Sequence, residues 1–220
     1  MIDPGTLTRE LLSNYRLIDL SEDVRPGLLG RDGQYRWGNQ VRRMELREFV
    51  ALGTHRMHFV ETETHVGTHV ELPVHIYDDG KSSAEMPLEA FWGEAIVLKF
   101  GDLRARDGQP PLITRDHLAD VRPRDIVLMY HPRGGADTPA LSPEAVRLLA
   151  ELPIKMIGEQ NVAMGQDLHE ELLRRDIPII ERLAHLDEVR KPRVFFVCLP
   201  LRIHHLDSSW IRAVAFEPKG

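Results

Sequence analysis

Residues 64–75 read THVGTHVELPVH, and this stretch carries most of what the sequence indicates about the fold. Four side chains of the kind that bind metals stand in it: His65, His69, Glu71 and His75. Val, Thr, Gly67 and Pro73 oppose a helix, and the odd numbers of the four place them on one side of an extended chain. A straight strand would separate the first and last histidines by roughly 33 Å. The chain is therefore predicted to bend at its glycine and proline.

The histidine cluster predicts a divalent metal site. Neutral imidazoles and a carboxylate together suit zinc or manganese, and burying such groups without a cation or a full set of hydrogen bonds is costly. A lone histidine is more often an ordinary polar residue, and seven others are interpreted in that way: His55, His58, His117, His131, His185, His204 and His205. One or two ions are expected at the cluster, and the spacing alone leaves their number open.

The composition narrows the class of protein. The 220 residues carry a net charge of −6, with 42% hydrophobic and 28% charged residues, as in an ordinary soluble globular protein. No cluster of Lys and Arg marks a nucleic-acid surface. The first residues lack a secretory signal, and the apolar run at 194–201 is too short to cross a bilayer. The single cysteine, Cys198, lies in that run and is predicted to be a buried core thiol. A cytoplasmic protein that binds neither nucleic acid nor membrane is therefore predicted.

Strand-rich segments in the first half, followed by alternating helices and strands, predict one mixed α/β domain over residues 1–220. Strands are predicted at 16–20, 56–64, 94–100, 125–130, 153–158 and 177–183, and in the segments RVFFVCLPLRI and WIRAVAF. Helices are predicted at 142–152 and 167–176. Residues 101–114 contain Gly and Pro that oppose both helix and strand, so a surface loop is predicted there.

The metal stretch also resembles a known signature. The pattern His-x-Gly-Thr-His-x-Asp-x-Pro-x-His marks the cyclase family of metal-dependent hydrolases, which includes bacterial kynurenine formamidase and isatin hydrolase. Residues 65–75 match it except that Glu71 replaces the Asp. LIDLSEDV resembles the family's opening strand, and LEAFWGEAIVLKF resembles the segment after the metal motif. The resemblance implies a single-domain α/β fold of the swivelling β/β/α type, in which helices pack on a mixed sheet.

Two further segments extend the resemblance. DLHEELLRRDIPIIERLAHLDEV resembles the family's second motif, in which a helix histidine precedes a strand glutamate by twelve residues, here His169 and Glu181. LRIHHLDSSWIRAVAF resembles a segment that usually reads Asp-Gly-Ser-Pro before its Arg-Ala, and DSSW departs from that at two positions. The resemblance implies two metal positions that share a carboxylate: His65, His69 and Glu71 for the first, and Glu71, His169 and Glu181 for the second. It also implies His75 as general base and acid.

These roles predict a hydrolase that uses metal-activated water. A bound divalent ion lowers the pKa of water toward about 7 and polarises a carbonyl, and histidine side chains exchange protons near neutral pH. The predicted reaction is cleavage of a carbon–nitrogen bond in a small or cyclic amide. Two alternatives remain: a lactone or ester hydrolase on the same site, and a metal or small-molecule binding protein without catalysis.

The extra methylene of Glu71 is expected to weaken one of the two metal positions. Paired ions in such sites lie about 3.5–4 Å apart, so a carboxylate that bridges them tolerates little displacement. The longer side chain therefore predicts one tightly held ion at His65, His69 and Glu71, and a weaker second ion. Glu71→Asp is then expected to raise the occupancy of the second position, provided that the shortened side chain still reaches the first ion.

The substrate pocket and the assembly are less defined by the sequence. Tyr35 and Trp37 stand in RPGLLGRDGQYRWGN at 25–39, where they either contact an aromatic substrate or pack a loop onto the domain or a partner subunit. The resemblance implies a homo-oligomer, for which a dimer is the default expectation.

Overall fold

The computed structural model of the protein describes residues 3–28, 35–37 and 40–220. Within them, α-helices run over Pro4–Asn14 (α1), Pro143–Glu151 (α2) and Gln166–Leu173 (α3). The strands are Tyr15–Asp19 (β1), Gly27–Leu28 (β2), Tyr35–Trp37 (β3), Gln40–Ala51 (β4), His55–Thr62 (β5), His69–Glu71 (β6), Trp92–Lys99 (β7), Leu112–Ile113 (β8), Ile126–Tyr130 (β9), Ala140–Leu141 (β10), Met156–Gln160 (β11), Ile179–Glu181 (β12), Arg193–Val197 (β13), Ser208–Trp210 (β14) and Val214–Pro218 (β15). None of the helices in these described ranges has the length and apolar character needed to span a membrane.

Nine of these strands form one mixed sheet, in the order β1-β15-β13-β7-β9-β11-β12-β6-β14. The central strands β7, β9, β11 and β12 pair in parallel. The strands on both sides of them pair antiparallel, with β13, β15 and β1 at one edge and β6 and β14 at the other. This topology confirms the predicted mixed α/β fold.

The parallel part of the sheet is buried on both faces. Alternate residues of β9 enter two separate apolar clusters, with Ile126 in the first and Val127 in the second. Helix α2 contributes Leu149 to the second cluster. The helix begins as predicted, because the Ser142 side chain accepts a hydrogen bond from the backbone N–H of Ala145 at 3.3 Å. The sheet therefore provides a rigid platform for the elements that carry the site.

The predicted bend in residues 64–75 is confirmed. Only His69–Glu71 form a strand, β6, and Gly67 just before it has a φ of +65°. A Cβ atom added to this glycine would lie 2.3 Å from a side-chain carbon of Val24, so the position requires glycine for its space as well as its conformation. Pro73–His75 then form a single turn of 3-10 helix. These two bends keep β6 short and turn its flanking histidines back toward it.

Two of the longer elements, together with several strands of two or three residues, are absent from the sequence-based predictions. One is helix α1, which the Asp3 side chain caps by accepting from the N–H of Thr6. The other is β4, which pairs with β5 in a long antiparallel hairpin from Met44–Thr62 to Ala51–His55. The predicted strands and helices are present, although several are shorter than predicted. The predicted loop at 101–114 forms regular structure only in the two residues of β8.

Candidate metal centre

Strand β6 brings two of the predicted ligands to one face of the sheet. His69 and Glu71 are two residues apart and therefore point to the same side. Both are almost fully buried, with exposures of 0% and 3%. In the neighbouring strand β12, Glu181 lies opposite His69 in the antiparallel register, so its carboxylate reaches the same face. The register thus gathers one imidazole and two carboxylates.

Helix α3 adds a second imidazole from above the sheet edge. The Nε2 atom of His169 lies 2.9 Å from Oε2 of Glu71 and 3.6 Å from Oε1 of Glu181. Its Nδ1 atom donates to the backbone carbonyl of Gly165 at 2.9 Å. In its neutral form an imidazole carries a single N–H, so once the ring gives up its second proton this bond leaves Nε2 with a lone pair for a metal ion.

His69 is held in the same way by a different carbonyl. Its Nδ1 atom donates to the oxygen of Gly67 at 2.8 Å. Its Nε2 atom lies 3.7 Å from Oε1 of Glu71 and 3.8 Å from Oε2 of Glu181. This buried nitrogen has no hydrogen-bond partner among the described residues. Since leaving such an atom unpaired costs about 1–3 kcal/mol, and its neighbours are acceptors, a cation between them is the natural partner.

His65 and His75 lie on the other side of the shared glutamate. The Nδ1 atom of His65 is 2.9 Å from Oε1 of Glu71, and its Nε2 atom is 2.8 Å from Oδ2 of Asp207. His75 lies beside it, with ring centroids 4.6 Å apart. The Nδ1 atom of His75 is 3.2 Å from the same Asp207 oxygen. One carboxylate oxygen therefore contacts both rings.

The spacing of these atoms fits a divalent metal ion. Zinc binds nitrogen and oxygen at about 2.0–2.2 Å, so neighbouring ligand atoms lie about 3.0 Å apart at a right angle and about 3.4 Å apart at the tetrahedral angle. The nitrogen–carboxylate distances around Glu71 and Glu181 run from 2.9 to 3.8 Å. In the part of the chain that the structure describes, two groups have their ligand atoms within 4.8 Å of one another: His65, Glu71 and His75, and His69, Glu71 and Glu181. Glu71 belongs to both, as a shared ligand must.

Without a cation, His65 and His169 hold protons. Burial acts to lower the pKa of His65, but the carboxylates of Asp207 and Glu71 outweigh it and raise the pKa to about 9. Burial also acts to lower the pKa of His169, but the carboxylates of Glu181 and Glu71 outweigh it and raise the pKa to about 10. Burial of Glu71 acts to raise its carboxyl pKa, yet His169 and His65 hold that pKa well below its usual range. The cluster therefore attracts positive charge, as protons or as a metal ion.

The structure brings all the predicted site residues together: His65, His69, Glu71, His75, His169 and Glu181. His75 lies at the rim, where 28% of its side chain is exposed. The side chains of Tyr35 and Trp37 lie outside the described residues. Asp207 was not assigned a role from the sequence. The DSSW segment contains a signal for this residue, because Asp207 matches the aspartate of the family's Asp-Gly-Ser-Pro pattern even though the segment departs from that pattern at two later positions.

The Cyclase family profile matches residues 13–165, which is more than half of the chain. The chain belongs to the Cyclase family. The matched residues include β6 and the turns on either side of it, which confirms the resemblance seen in the metal stretch. His169, Glu181 and Asp207 lie beyond the matched region, and the sheet brings them to it.

Individual relatives agree with the family assignment. The kynurenine formamidase of Erythrobacter litoralis is 29% identical over 218 residues, which cover 93% of this chain and 95% of that protein. The kynurenine formamidase of Paracidovorax citrulli is 30% identical over 70% of this chain and 76% of that protein. Isatin hydrolase A from Labrenzia aggregata superposes with a TM-score of 0.76 at 23% identity, with 98% of this chain and 99% of that chain covered. The structural match shows that this Cyclase chain has the isatin hydrolase fold.

Thr68, which directly precedes β6, forms hydrogen bonds to two other segments of the chain. The Thr68 hydroxyl donates to the carbonyl of Arg182 at 2.6 Å and accepts from the backbone N–H of Glu22 at 2.7 Å. Arg182 follows Glu181 directly and has a φ of +63°. Its guanidinium group forms a salt bridge with Glu22. These bonds fix the backbone next to Glu181 and so hold its carboxylate near β6.

Glu159 supports the same backbone from the adjoining strand β11. Its carboxylate accepts from the N–H of Arg182 at 2.9 Å and from the N–H of Val162 at 3.0 Å. Burial raises the pKa of the Glu159 carboxyl to about 7. Because one of these bonds is to the residue directly after β12, Glu159 helps to position the end of that strand.

Proposed function

We propose that this Cyclase protein is a metal-dependent hydrolase that cleaves the carbon–nitrogen bond of a small or cyclic amide. The observation that carries the proposal is the unpartnered, fully buried Nε2 atom of His69, which faces the carboxylates of Glu71 and Glu181. Such an arrangement is costly without a cation. The relatives named kynurenine formamidase, and the isatin hydrolase fold, support an amide as the substrate class.

The described side chains divide into two ligand sets for zinc or manganese. His65, His69 and Glu71 would hold one ion, and Glu71, His169 and Glu181 would hold a second. Support for sharing comes from the two oxygens of Glu71, each of which lies 2.9 Å from a different histidine nitrogen. When bound, such an ion polarises the amide carbonyl and lowers the pKa of water toward about 7.

His75 is proposed as the residue that moves protons. Its Nδ1 atom lies 3.2 Å from Asp207, so a proton on Nδ1 leaves Nε2 free to accept another. The partly exposed ring lies beside His65, within reach of both solvent and the metal cluster. In the proposed reaction, His75 takes a proton from the attacking water and delivers it to the nitrogen that leaves, so that the amine departs neutral.

We infer that residues 1–220 act as one hydrolase domain and that two copies associate. The support for association is the β4–β5 hairpin, which carries large exposed apolar side chains on both faces: Leu46, Val50, Met57, Phe59 and Val60. Exposed apolar surface often marks an interaction site, and a second copy of the same chain is the partner proposed for this hairpin. We propose the cytoplasm as its location, supported by a single cysteine, Cys198, which is buried and unpaired.

Metal analysis followed by hydrolysis assays tests the proposed function. The purified protein is expected to contain a divalent transition metal, to lose activity to a chelator, and to hydrolyse members of a panel of aryl formamides and cyclic amides. His75→Ala is expected to lower kcat by about 100-fold or more while retaining its metal. His69→Ala is expected to lose both metal and activity.

Several outcomes would contradict parts of this proposal. A fully active protein that resists chelators and contains no metal would exclude metal-dependent catalysis. Hydrolysis confined to lactones or esters would change the reaction class, and bound metal with no hydrolysis of any compound would indicate a binding protein. Equal loss of metal in the His75 and His69 variants would make His75 a ligand, as its place beside His65 and Glu71 allows.

A further inference from the structure

We infer that Asp207 is a positioning residue that selects the tautomer of two histidines, one in the metal set and one in proton transfer. Its Oδ2 atom lies 2.8 Å from Nε2 of His65 and 3.2 Å from Nδ1 of His75. Its other oxygen, Oδ1, accepts a hydrogen bond from the Thr64 hydroxyl at 3.0 Å. This inference rests on the proposed hydrolase function, because it assigns the two histidines their roles in that reaction.

The tautomer argument begins with the other two imidazoles of the centre. The Nδ1–H groups of His69 and His169 donate to the carbonyls of Gly67 and Gly165, so each presents Nε2 to the carboxylates. Metal-ligating histidines are commonly fixed in this way, through a hydrogen bond from the nitrogen that does not bind the metal. Backbone carbonyls therefore determine which nitrogen of these two rings is free.

For His65, the hydrogen-bond acceptor is the carboxylate of Asp207 instead of a backbone carbonyl. Donation from Nε2–H to Asp207 leaves the lone pair of His65 on Nδ1, which lies 2.9 Å from Oε1 of Glu71. If the proton were on Nδ1 instead, His65 could not offer a lone pair on the side of the ligand cluster. The carboxylate also makes the imidazole more basic, which strengthens a ligand beyond what a neutral carbonyl achieves.

The same oxygen fixes His75 in the opposite sense. Here the nitrogen near Asp207 is Nδ1, so a proton donated there leaves the lone pair on Nε2. This is the state that a general base requires. Asp207 therefore sets both rings at once, and the two rings lie side by side, tilted by 46° with their centroids 4.6 Å apart.

The backbone around Asp207 is fixed independently of its side chain. The N–H of Leu72 donates to the carbonyl of Asp207 at 3.0 Å, and the next residue, Ser208, opens strand β14 opposite Glu71. The Asp207 side chain itself is 37% exposed. Replacing it therefore removes the contact with the histidines without opening a cavity in the core.

The experiment compares Asp207→Leu, which removes the acceptor, with Asp207→Asn, which keeps a neutral acceptor for the same N–H groups. Metal-free protein is titrated with Zn²⁺ and with Mn²⁺ by calorimetry, and kcat and KM are measured on the best amide of the wild-type panel. The leucine variant is expected to bind metal about 10–100-fold more weakly and to lose about 100-fold in kcat. Its KM is expected to change by less than about threefold. The asparagine variant is expected to recover most of the metal affinity.

Two outcomes would overturn the inference. A leucine variant that keeps the wild-type metal affinity and kcat would show that Asp207 has only a structural role or none. Equal losses in both variants would make Asp207 itself a metal ligand. Should the leucine variant fail to fold by circular dichroism, Asp207→Ala replaces it with the same expectations. A wild-type protein that neither binds metal nor hydrolyses amides would instead refute the proposed function, which keeps the two failures distinct.

Discussion

Shortening Glu71 to aspartate tests whether one carboxylate serves both metal positions. The side chain reaches a histidine nitrogen on each side, because Oε1 lies 2.9 Å from Nδ1 of His65 and Oε2 lies 2.9 Å from Nε2 of His169. This geometry argues against the sequence-based expectation that Glu71→Asp strengthens the second ion. The longer side chain already spans the gap between the two ligand sets, so the shorter one is expected to weaken both.

The size of the effect follows from the fixed position of β6. Removing one methylene retracts the carboxylate by about 1.5 Å, the length of one C–C bond. The strand cannot advance to compensate, because it is paired with β12 on one side and β14 on the other. Metal–ligand distances tolerate deviations of only about 0.2 Å. Since losing even an outer partner costs about 10–100-fold in metal affinity, the variant is expected to lose about 100-fold, or ~2.8 kcal/mol, at each position.

The assay is a calorimetric titration of metal-free protein with Zn²⁺ or Mn²⁺ at fixed pH and salt. The matched control is Glu61→Asp, which shortens an exposed glutamate on β5 and is expected to leave both affinities unchanged. Weakening of both metal sites in Glu71→Asp alone is the expected result. A Glu71→Asp protein that binds two ions as tightly as the wild type, or that gains affinity at one site, would refute the reasoning.

Two further predictions concern protons and assembly. Because the pKa values of His65 and His169 are raised to about 9 and about 10, their contribution to metal-free stability is present below about pH 6.5 and lost as the pH rises through those values. An entering ion must displace these protons, so metal affinity should rise between pH 7 and 9, with proton release seen by calorimetry in buffers of different ionisation enthalpy; a flat profile contradicts this. Phe59→Glu in the hairpin should convert a dimer to a monomer, as measured by sedimentation. Leu88→Glu, a change at a similarly exposed residue outside the hairpin, should not. A wild-type protein that is monomeric at every concentration contradicts the proposed dimer.

The metal strand could be predicted from local chemistry alone. Alternation along an extended chain places His69 and Glu71 on one side, and the conformational freedom of Gly67 allows the bend that a straight strand lacks. Both features depend on residues within one short stretch. The structure adds what the stretch cannot specify, namely that only three residues of it are paired in the sheet.

Only the second strand of the β4–β5 hairpin was predicted, at 56–64, and β4 was missed for a physical reason that lies in the hairpin. Its sequence does not alternate cleanly between apolar and polar residues, because apolar side chains occur at both parities: Leu46 and Val50 on one face, Phe49 and Met57 on the other. Alternation arises when one face is buried in the same chain and the other faces solvent. In this hairpin most side chains on both faces are exposed, so the usual alternation is missing from β4.

The site residues that lie far from β6 in the sequence come together only in the folded chain. His169 and Glu181 stand on a helix and a strand where, without the family resemblance, they would be interpreted as ordinary surface residues. They become neighbours of Glu71 because β12 pairs with β6, and Asp207 becomes one because it directly precedes β14, which pairs with the other side of β6. These pairings join segments more than a hundred residues apart, and no spacing within the sequence reveals them.

Either protons or a metal ion can compensate the negative charge of Glu71 and the carboxylates near it. Without an ion, the raised pKa values of His65 and His169 supply protons that compensate Glu71 and its neighbours. The rings of His69 and His169 are also oriented by hydrogen bonds to the backbone carbonyls of Gly67 and Gly165. A structural zinc site differs, because there the ligands converge only when the metal is bound and binding is inseparable from folding. In this centre the scaffold and the protons hold the ligands in advance, so removal of the ion is expected to leave a folded, protonated site that can be reloaded.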